Sequence, residues 1–414
     1  MSRANEIGSG AARVWYHLVN MTLAAWRMVL AIARRDDVRY HLVKITVAAA
    51  MAAGMLLSLK LWLTERHYPH VPVWDGLPII PPPWDRVVFG GLLLLLGLTA
   101  VLPRARWPLL AFVTVAGLWS LWDQSRWQPW FYQYLFMLAA LGVAASDDPE
   151  HREAGLNACR FILAATYIWS GLQKVNFHFA TDTYPWLMEP ILKRLPEGLR
   201  GWAAAQGWKA AFLECGLGIG LLIWPLRLVA VALLVLMHAT ILFCLSPWWG
   251  HDWNSVVWPW NIAMMALNLM LFVNTPKVMP WHIIWPRRFL LARVTLVLFG
   301  IMPLFNFFGY WDSYLSAALY SGNTLDARVY LNSDDIIEKL PPEVRAKHLS
   351  GNQLDLFSWA IDEMNVPPYP ARRVYRGIAL ALSHSSSDVT LEIDERPDWQ
   401  TGKRERTPER LDHR

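Results

Sequence analysis

The sequence is poor in charged residues and in cysteine. Asp, Glu, Lys and Arg make up 17% of the 414 residues, whereas about 25% is usual in a soluble domain. This deficit argues against a soluble globular protein and indicates contact with lipid. The three cysteines, Cys159, Cys215 and Cys244, lie in or beside apolar runs and form no CxxC motif. They therefore support neither a disulfide framework nor a thiol-redox centre.

Motifs for several classes of ligand are also missing. The basic residues, which leave a net charge of +5, are spread over short loops without interleaved aromatics, so we expect no nucleic-acid partner. The stretch GLGIG (216–220) lies inside an apolar run, where it favours helix contact over nucleotide binding. His251 and Asp252 have no HxxxH or HxxE companion, so we expect no metal site. No cleavable signal peptide precedes the first apolar run, which is expected to act as the insertion signal.

Long apolar runs recur up to about residue 305. They are about 16 to 21 residues long, the length that crosses about 30 Å of hydrocarbon. Many of the 25 tryptophans flank these runs, where an amphipathic ring sits at the level of lipid head groups. The runs lack the polar stripes of a soluble helical bundle. We predict an all-α polytopic membrane bundle of about nine transmembrane helices. The expected spans lie at about 44–63, 87–102, 107–122, 129–145, 158–175, 206–224, 227–245, 256–273 and 289–306.

The pattern divides the chain into four parts. Residues 1–43 are an N-terminal segment on the cytoplasmic side, whose amphipathic pattern is typical of an interfacial helix or of a helix packed on the bundle. The membrane bundle follows at 44–306. Residues 307–396 are expected to form a small soluble α+β domain, which has a marginal core and should lean on the bundle. The charged tail, 397–414, is expected to be disordered.

Five elements are expected in the small domain. Residues 325–332 and 388–393 alternate like strands. Residues 341–349 open with proline, as many helices do. Two further helices are predicted at 356–364 and 371–382.

Basic residues in the short loops predict the orientation. If every run crosses once, they fall on one side, which the positive-inside rule makes cytoplasmic. The connections 64–86 and 176–205, the loop 246–255 and the C-terminal domain then lie outside. We therefore expect a bacterial inner-membrane protein with a cytoplasmic N-terminus and a periplasmic C-terminal domain. The basic residues are Arg34, Arg35, Arg39, Lys44, Arg104, Arg106, Arg227, Lys277, Arg287 and Arg288.

Lys174 is the first candidate functional residue, at the outer end of the fifth expected span. Tyr167, Gly171 and Lys174 share one helical face, and Gly171 would let another helix approach closely. A buried, unpaired lysine can act as a general base or bind an anion. The alternative is a lysine that snorkels to the outer interface. Ser170 lies four residues earlier, but nothing else supports a Ser–Lys nucleophilic dyad.

Glu214 and His238 form the second candidate site. They lie 11 and 13 residues from Pro225, which marks the turn of a helical hairpin, so they should lie at similar depth in the membrane. An acid beside an imidazole can relay protons or bind a polar head group. The alternative is a hydrogen-bonded pair that holds the two helices together.

The segment 246–261 is the densest cluster of aromatic and polar residues in the chain. His251, Asp252, Asn254 and Asn261 lie among five tryptophans. Such a segment either caps a cavity that opens outward or anchors a hairpin among the head groups.

Two of these segments resemble a known superfamily. YxxSGLxKxN, at 167–176, resembles the signature of the vitamin K-dependent γ-carboxylase membrane domain and of its bacterial relatives, the HTTM proteins. The span pair at 212–243, with its Glu and His, is similar to both groups and to the smaller DoxX-like proteins. The resemblance covers roughly residues 90–310. It implies that Lys174 matches the lysine thought to deprotonate reduced vitamin K.

The chain also departs from the carboxylases. Asn176 stands where they carry an acidic residue, their propeptide-binding region has no match, and the C-terminal domain is smaller. The resemblance therefore implies chemistry on a quinone or another lipid-soluble substrate and speaks against carboxylation of glutamate. No other cofactor is indicated.

Three functions follow as hypotheses. In the first, the protein binds a quinone or lipid in an outward-opening cavity, with Lys174, Glu214 and His238 as catalytic candidates. In the second, it is a non-enzymatic subunit that docks a periplasmic or membrane protein partner. The third, a transporter, would be expected to show internal repeats, and none is visible. Membrane lipids are expected partners in every case. The candidate substrate-binding residues are Tyr167, Gly171, Asn176, His251, Asn254 and Asn261.

Overall fold

The computed structural model describes residues 36–74, 76–102, 105–146, 148–275, 279–285, 289–383 and 388–411. It is mostly helical up to residue 308, where a smaller mixed domain begins. The amphipathic pattern at 11–35 lies outside the described residues. The helices of the larger part are α1 (Asp36–Leu57), α2 (Leu59–Trp62), α3 (Trp84–Val101), α4 (Trp107–Trp119), α5 (Pro129–Ala144), α6 (Pro149–Gln173), α7 (Tyr184–Leu192), α8 (Glu197–Ala204), α9 (Gly207–Leu222), α10 (Arg227–Leu245), α11 (Val257–Phe272), α12 (Pro280–Ile284) and α13 (Leu290–Thr295).

Four helical segments in the described part of the chain are long and apolar enough to cross a membrane. They are Asp37–Leu57, Trp84–Val101, Arg227–Leu245 and Leu290–Phe308. The last of these continues α13 through a π-helical turn and a 3₁₀ turn. Three shorter apolar segments, Trp107–Trp122, Pro129–Ala144 and Val257–Phe272, also occur. These helices are compatible with a membrane location, but among the described residues four segments, and not the nine expected, have the length and composition of a full span.

The fifth expected span differs from a lipid-facing helix for a physical reason. It is the second half of α6, which has 25 residues and carries Glu150, Arg152 and Glu153 in its first turns. From Gly155 to Tyr167 the helix is buried on all sides. A helix enclosed by protein can carry Arg160, because Glu153 and Asn157 accept hydrogen bonds from its Nη1 at 2.5 and 2.6 Å.

The first span begins earlier than predicted. Helix α1 starts at Asp36, so the last residues of the expected N-terminal segment belong to it. Arg39 and Lys44 are 1% exposed and do not lie in a loop. Arg39 Nη2 donates to the carbonyl oxygen of Asn274 at 2.9 Å, and Lys44 Nζ donates to that of Leu102 at 3.3 Å. These basic groups bind the ends of neighbouring helices, which carry a partial negative charge.

The C-terminal domain is a five-stranded antiparallel sheet with helices packed on it. The strands are β1 (Asp326–Leu331), β2 (Leu349–Ser350), β3 (Gln353–Leu354), β4 (Val389–Asp394) and β5 (Arg406–Glu409), in the order β2-β3-β1-β4-β5 across the sheet. Strand β1 pairs with β4 from Asp326 opposite Asp394 to Leu331 opposite Val389. The five predicted elements are all present, with bounds within two residues of those expected. The helices of the domain are α14 (Asp334–Lys339), α15 (Pro342–His348), α16 (Leu356–Met364) and α17 (Arg372–Leu382).

The tail is folded and not disordered, so the domain extends beyond the expected boundary at 396. Strand β5 pairs with β4, and Arg406 Nε donates to Asp394 Oδ1 at 2.8 Å. Glu409 accepts a hydrogen bond from Arg372 at 2.7 Å. Upstream of β5, the amide of Phe177 donates to the carbonyl of Trp399 at 2.9 Å. The charged residues of the tail, which led to the prediction of disorder, form ion pairs with residues of the C-terminal domain.

The domain leans on the helical bundle, as predicted. The carboxylate of Glu363, on α16, accepts hydrogen bonds from the amides of His67 and Tyr68 at 2.6 and 2.9 Å. Asn365 Nδ2 donates to the carbonyl of Leu57 at 3.1 Å, so the contact continues at the end of α1. This docking carries the segment before β1 over the ends of α6 and α11.

Candidate functional site

A cavity of about 340 Å³ lies among α6, α9, α10 and α11. Helix α7, the turn before it and the segment 317–320 complete its walls. It brings together five of the nine residues that the sequence singled out. The lining residues are Thr166, Tyr167, Ser170, Lys174, Phe179, Tyr184, Leu187, Met188, Ala210, Leu213, Glu214, Leu217, Leu233, Leu236, Met237, His238, Thr240, Ile241, Val257, Trp260, Asn261, Met264, Ala317, Leu319 and Tyr320.

Lys174 lines this cavity, as expected of a lysine that faces the bundle interior or an outward cavity and not lipid. Its Nζ donates to Glu214 Oε2 at 2.6 Å and to Ser170 Oγ at 2.8 Å. Both side chains of the ion pair are nearly buried, at 14% and 10% exposed. Of the two cases that the sequence leaves open, an unpaired lysine that acts as a base and a lysine paired with Glu214, the structure shows the pair. The third ammonium proton remains for a ligand.

Two glycines allow this ion pair to form. A Cβ on Gly171 of α6 would lie 2.4 Å from the backbone nitrogen of Cys215, and one on Gly218 of α9 would lie 2.8 Å from that of Ile168. The two helices therefore touch backbone to backbone, as small residues permit in apolar surroundings. This closeness brings Glu214, next to Cys215, within reach of Lys174. The predicted role of Gly171 in close helix contact is confirmed.

Tyr167 and His238 form a second polar group on the same wall. The tyrosine hydroxyl lies 2.7 Å from His238 Nε2, and His238 Nδ1 lies 2.7 Å from Asn261 Oδ1. Asn268 Nδ2 donates to the same hydroxyl at 2.6 Å. The four side chains are at most 7% exposed.

The surrounding carbonyl groups fix the direction of each hydrogen bond. Asn261 and Asn268 use Nδ2 to donate to the carbonyls of Val257 and Met264, which can only accept. Asn268 then also donates to Tyr167, so the tyrosine proton points to His238 Nε2. The other ring nitrogen, Nδ1, must carry the proton that Asn261 Oδ1 accepts. The chain thus holds a neutral imidazole in one tautomer, since a proton on Nε2 would leave the tyrosine proton without an acceptor.

The hairpin spacing predicts that Glu214 and His238 lie close enough to interact, directly or through water; in the structure they take different hydrogen-bond partners. Both line the cavity, at similar depth, but each has another partner. Glu214 pairs with Lys174, while the two nitrogens of His238 face Tyr167 and Asn261. The rotation of α9 relative to α10 determines which partners the two side chains meet. Residue spacing along the hairpin gives their depth but not this rotation.

The rest of the cavity wall is largely apolar and reaches the surface of the bundle. Leu213 of α9 and Leu236 of α10 both line it, yet they are 54% and 61% exposed. The cavity therefore opens between these two helices, beside Leu233 of α10, which is also exposed. An opening bordered by leucines suits an apolar ligand.

Besides Gly171, three predicted site residues, Asn176, His251 and Asn254, lie outside the cavity. Asn176 is structural, since its Nδ2 donates to the carbonyls of Gln173 and Ser321 at 2.9 and 2.8 Å. His251 stacks on Trp186 at 4.7 Å, and its Nε2 lies 2.7 Å from the Trp186 carbonyl oxygen. Asn254 Nδ2 donates to the hydroxyl of Tyr320 at 2.6 Å and so supports the cavity from behind.

His178, near the outer end of α6, has a weaker tendency to bind a proton than usual. Burial lowers the pKa of His178, and the charge of Arg404 lowers it further. Asp182, whose Oδ2 lies 3.2 Å from Nδ1, acts in the opposite direction without cancelling these effects. At neutral pH this histidine is therefore uncharged.

Sequence reasoning missed Asn268, which orients Tyr167. A signal existed, because Asn268 lies two helical turns after Asn261 in an otherwise apolar helix. It also missed Tyr320, which comes from the C-terminal segment and becomes a neighbour only in the folded chain. Within the described ranges, no group of three or more His, Cys, Asp or Glu side chains is placed to hold a metal ion.

Comparison with known proteins supplied no relative: no protein-family model, curated protein or solved structure matched the chain.

Proposed function

We propose that the protein binds a lipid-soluble molecule with an uncharged polar head group in the cavity between α6, α9, α10 and α11. The observation that carries this proposal is the division of the cavity wall. One side holds the Lys174–Glu214 ion pair and the Tyr167–His238 pair, and the other walls are apolar. A ligand with a polar head and an apolar body matches both surfaces.

The charge of the polar wall supports an uncharged head group. Lys174 and Glu214 neutralise one another, and His238 is held in a neutral tautomer. Lys174 retains one N–H donor, and Glu214 retains one carboxylate oxygen as an acceptor. A carbonyl or hydroxyl group suits this pair, as in a quinone, a quinol or a long-chain alcohol. A bare anion or cation would break the ion pair.

The same groups suit proton abstraction from a bound hydroxyl. Glu214 would take the proton on its free oxygen, and the ammonium of Lys174 would stabilise the oxyanion that forms. In this scheme Lys174 acts through its charge, and Glu214 is the base. The proposal keeps the γ-carboxylase, HTTM and DoxX-like proteins as the kind of membrane protein that the chain resembles.

The membrane setting belongs to the same proposal. The leucine-bordered opening between α9 and α10 would face the hydrocarbon of a bacterial inner membrane, with the C-terminal domain in the periplasm. A ligand would then enter from the bilayer. The clustering of five candidate residues in one cavity favours this function over a docking subunit, whose polar groups need not converge.

The test is an analysis of lipids that co-purify with the full-length protein in a neutral detergent. We expect one uncharged lipid, in about equimolar amount, by mass spectrometry of the extract. The double variant Leu213→Trp/Leu236→Trp places two indoles across the opening of the cavity. This variant should therefore purify without the lipid. Glu214→Gln should also weaken its retention, because the ion pair is broken.

A matched control uses exposed neighbours that do not line the cavity. Phe212 and Leu228 lie on the same two helices and are 58% and 62% exposed. The variant Phe212→Trp/Leu228→Trp should retain the lipid at the wild-type level. Equal retention by both tryptophan variants, or the absence of any bound lipid from the wild type, would contradict the proposal.

A further inference from the structure

A second cleft, of about 760 Å³, lies where the last apolar segment meets the C-terminal domain. It is separate from the cavity described above and shares no lining residue with it. One side consists of Phe307 and the segment 309–313, and the other of residues 370–373 with Glu395 and Arg396. Tyr310 is 80% exposed at its edge.

The cleft contains more hydrogen-bond donors than its own residues use. Trp311 and Arg396 line it, and their buried Nε1 and Nε atoms have no acceptor among the residues that the structure describes. The other nitrogens of Arg396 are occupied, since they donate to the carbonyl and to the side-chain oxygen of Asn306. An orphaned N–H group buried in a cleft is costly unless a ligand or water accepts its hydrogen bond.

The charges around these donors favour an anion. Arg373 lies in the lining and is exposed, and no carboxylate within the described part of the chain forms a salt bridge with it. Arg372 is occupied by Glu395 and Glu409. Burial raises the pKa of Asp312, despite the opposing effect of Arg373 and Arg396, so its carboxyl group opposes an anion less than an ordinary aspartate would.

We propose that this cleft binds a phosphate ester, with Arg373, Arg396 and Trp311 as its donors. A guanidinium group and an indole N–H together match the several acceptor oxygens of a phosphate. The N-terminus of α17, at Arg372, adds backbone N–H groups on the same side. Two sources share this chemistry: the head group of an anionic phospholipid and a soluble phosphate.

The exposed aromatics favour the lipid source. Phe307, Phe308 and Tyr310 are exposed and continue the apolar segment Leu290–Phe308 to the edge of the cleft. They offer a path for acyl chains beside the phosphate donors. The choice of a lipid as the ligand rests on the membrane setting proposed above. The assignment of a phosphate site does not depend on that setting.

Native mass spectrometry of the full-length protein in neutral detergent tests the site. Titration with dioleoyl phosphatidylglycerol should give one saturable adduct, and dioleoyl phosphatidylcholine should bind much more weakly. Arg373→Gln should reduce the affinity about tenfold, the value of one hydrogen bond to a charged group. Trp311→Phe, which removes only the N–H donor, should reduce it about threefold to tenfold.

Three controls give each outcome a meaning. Arg345→Gln, on α15 away from the cleft, should leave the affinity unchanged. Leu213→Trp/Leu236→Trp should also leave it unchanged, so failure of the first cavity is separable from failure of this cleft. Inorganic phosphate that competes as strongly as the lipid would support the phosphate site and assign it a soluble ligand. Equal affinity of the wild type, Arg373→Gln and Trp311→Phe for phosphatidylglycerol would overturn the proposal.

Discussion

At the scale of single residues, the Lys174–Glu214 ion pair links the polar wall of the cavity to the stability of the bundle. Both side chains are nearly buried, and each satisfies the charge of the other. Removing one partner leaves the second charge in apolar surroundings, whereas removing both leaves none. Comparing single and double variants therefore separates the contribution of the ion pair to stability from a functional role of its two residues.

We expect Lys174→Met to lower the free energy of unfolding by about 3 kcal/mol, since it leaves Glu214 unpaired. Lys174→Met/Glu214→Gln should recover most of that loss, and Lys174→Arg should recover part of it by keeping a positive charge. Thermal unfolding in detergent measures these three variants and the single variant Glu214→Gln. If the two single losses simply add in the double variant, Lys174 and Glu214 do not interact.

A second ion pair makes the free energy of unfolding depend on pH in the acidic range. Asp123 lies in the segment after α4 and Arg66 in the segment after α2; both side chains are fully buried, with His70 and Arg126 beside them. Burial alone would raise the pKa of Asp123, but Arg66 and its neighbours outweigh it and hold the pKa below its usual range. A carboxyl group whose pKa is lower in the folded state stabilises the fold above about pH 4, the unfolded value. That stabilisation disappears as the pH falls further.

We therefore expect Asp123→Asn to lower the free energy of unfolding at pH 7 by about 3 kcal/mol, because Arg66 loses its partner. The difference between wild type and variant should shrink as the pH falls below about 4. Melting temperatures at pH 7, 5 and 3.5 check this, with Asp252→Asn as an exposed control that should change little. A difference that stays constant down to pH 3.5 would rule out a contribution from the ionised carboxylate.

At the scale of helices, the contact between α6 and α9 positions the site. Gly171 and Gly218 bring the two backbones together, and the Lys174–Glu214 pair depends on that distance. The contact accounts for the buried course of α6, although its first turns are rich in charge. Packing against small residues thus replaces contact with lipid as the source of stability for this helix.

We expect Gly171→Ala to lower the free energy of unfolding by about 1–3 kcal/mol, because its methyl group would overlap the backbone of α9. It should also weaken retention of the co-purified lipid by moving Glu214 away from Lys174. Gly216→Ala is the matched control, since a Cβ at that position of α9 meets no atom within 4 Å. Melting temperatures of the two variants should differ clearly, and equal values would mean that the helices are not in backbone contact.

At the scale of the whole molecule, the number of crossings determines on which side of the membrane each loop lies. Four segments have the length and composition of a full span, and nine were expected from the apolar runs. The two numbers predict different topologies. With nine crossings, seven lie between Arg106 and the C-terminus, so these two points are on opposite sides. With only the four long segments crossing, two lie between them, so both points are on the same side.

We predict opposite sides, since the short helices between them pack into one bundle with the long ones. Reporter fusions after Arg106 and after Arg414 should give opposite signals, one cytoplasmic and one periplasmic. The physical reason is the distribution of basic residues between the runs. Matching signals would contradict the nine-crossing arrangement and leave the four long segments as the only spans.

The sequence by itself determined the helical class of the larger part, the five predicted elements of the C-terminal domain and the candidate residues that line the cavity. These features follow from local composition and from the spacing of apolar residues, which can be read from the sequence without knowing which residues become neighbours in the fold. Gly171 was identified as a point of close helix contact from the same kind of local pattern, because a small residue within an apolar helix typically lies where another helix packs closely.

Only the tertiary structure decided how these residues combine. Glu214 pairs with Lys174 and not with His238, since helix rotation, which the period does not reveal, chooses between them. The charged tail folds as β5 because Arg406 meets the carboxylates of Glu392 and Asp394 on the adjacent strand. Arg39 and Lys44 can be buried because the carbonyls at two helix ends accept hydrogen bonds from them. In each case the deciding partner is distant in sequence, so its contribution to the energy exists only once the chain has folded.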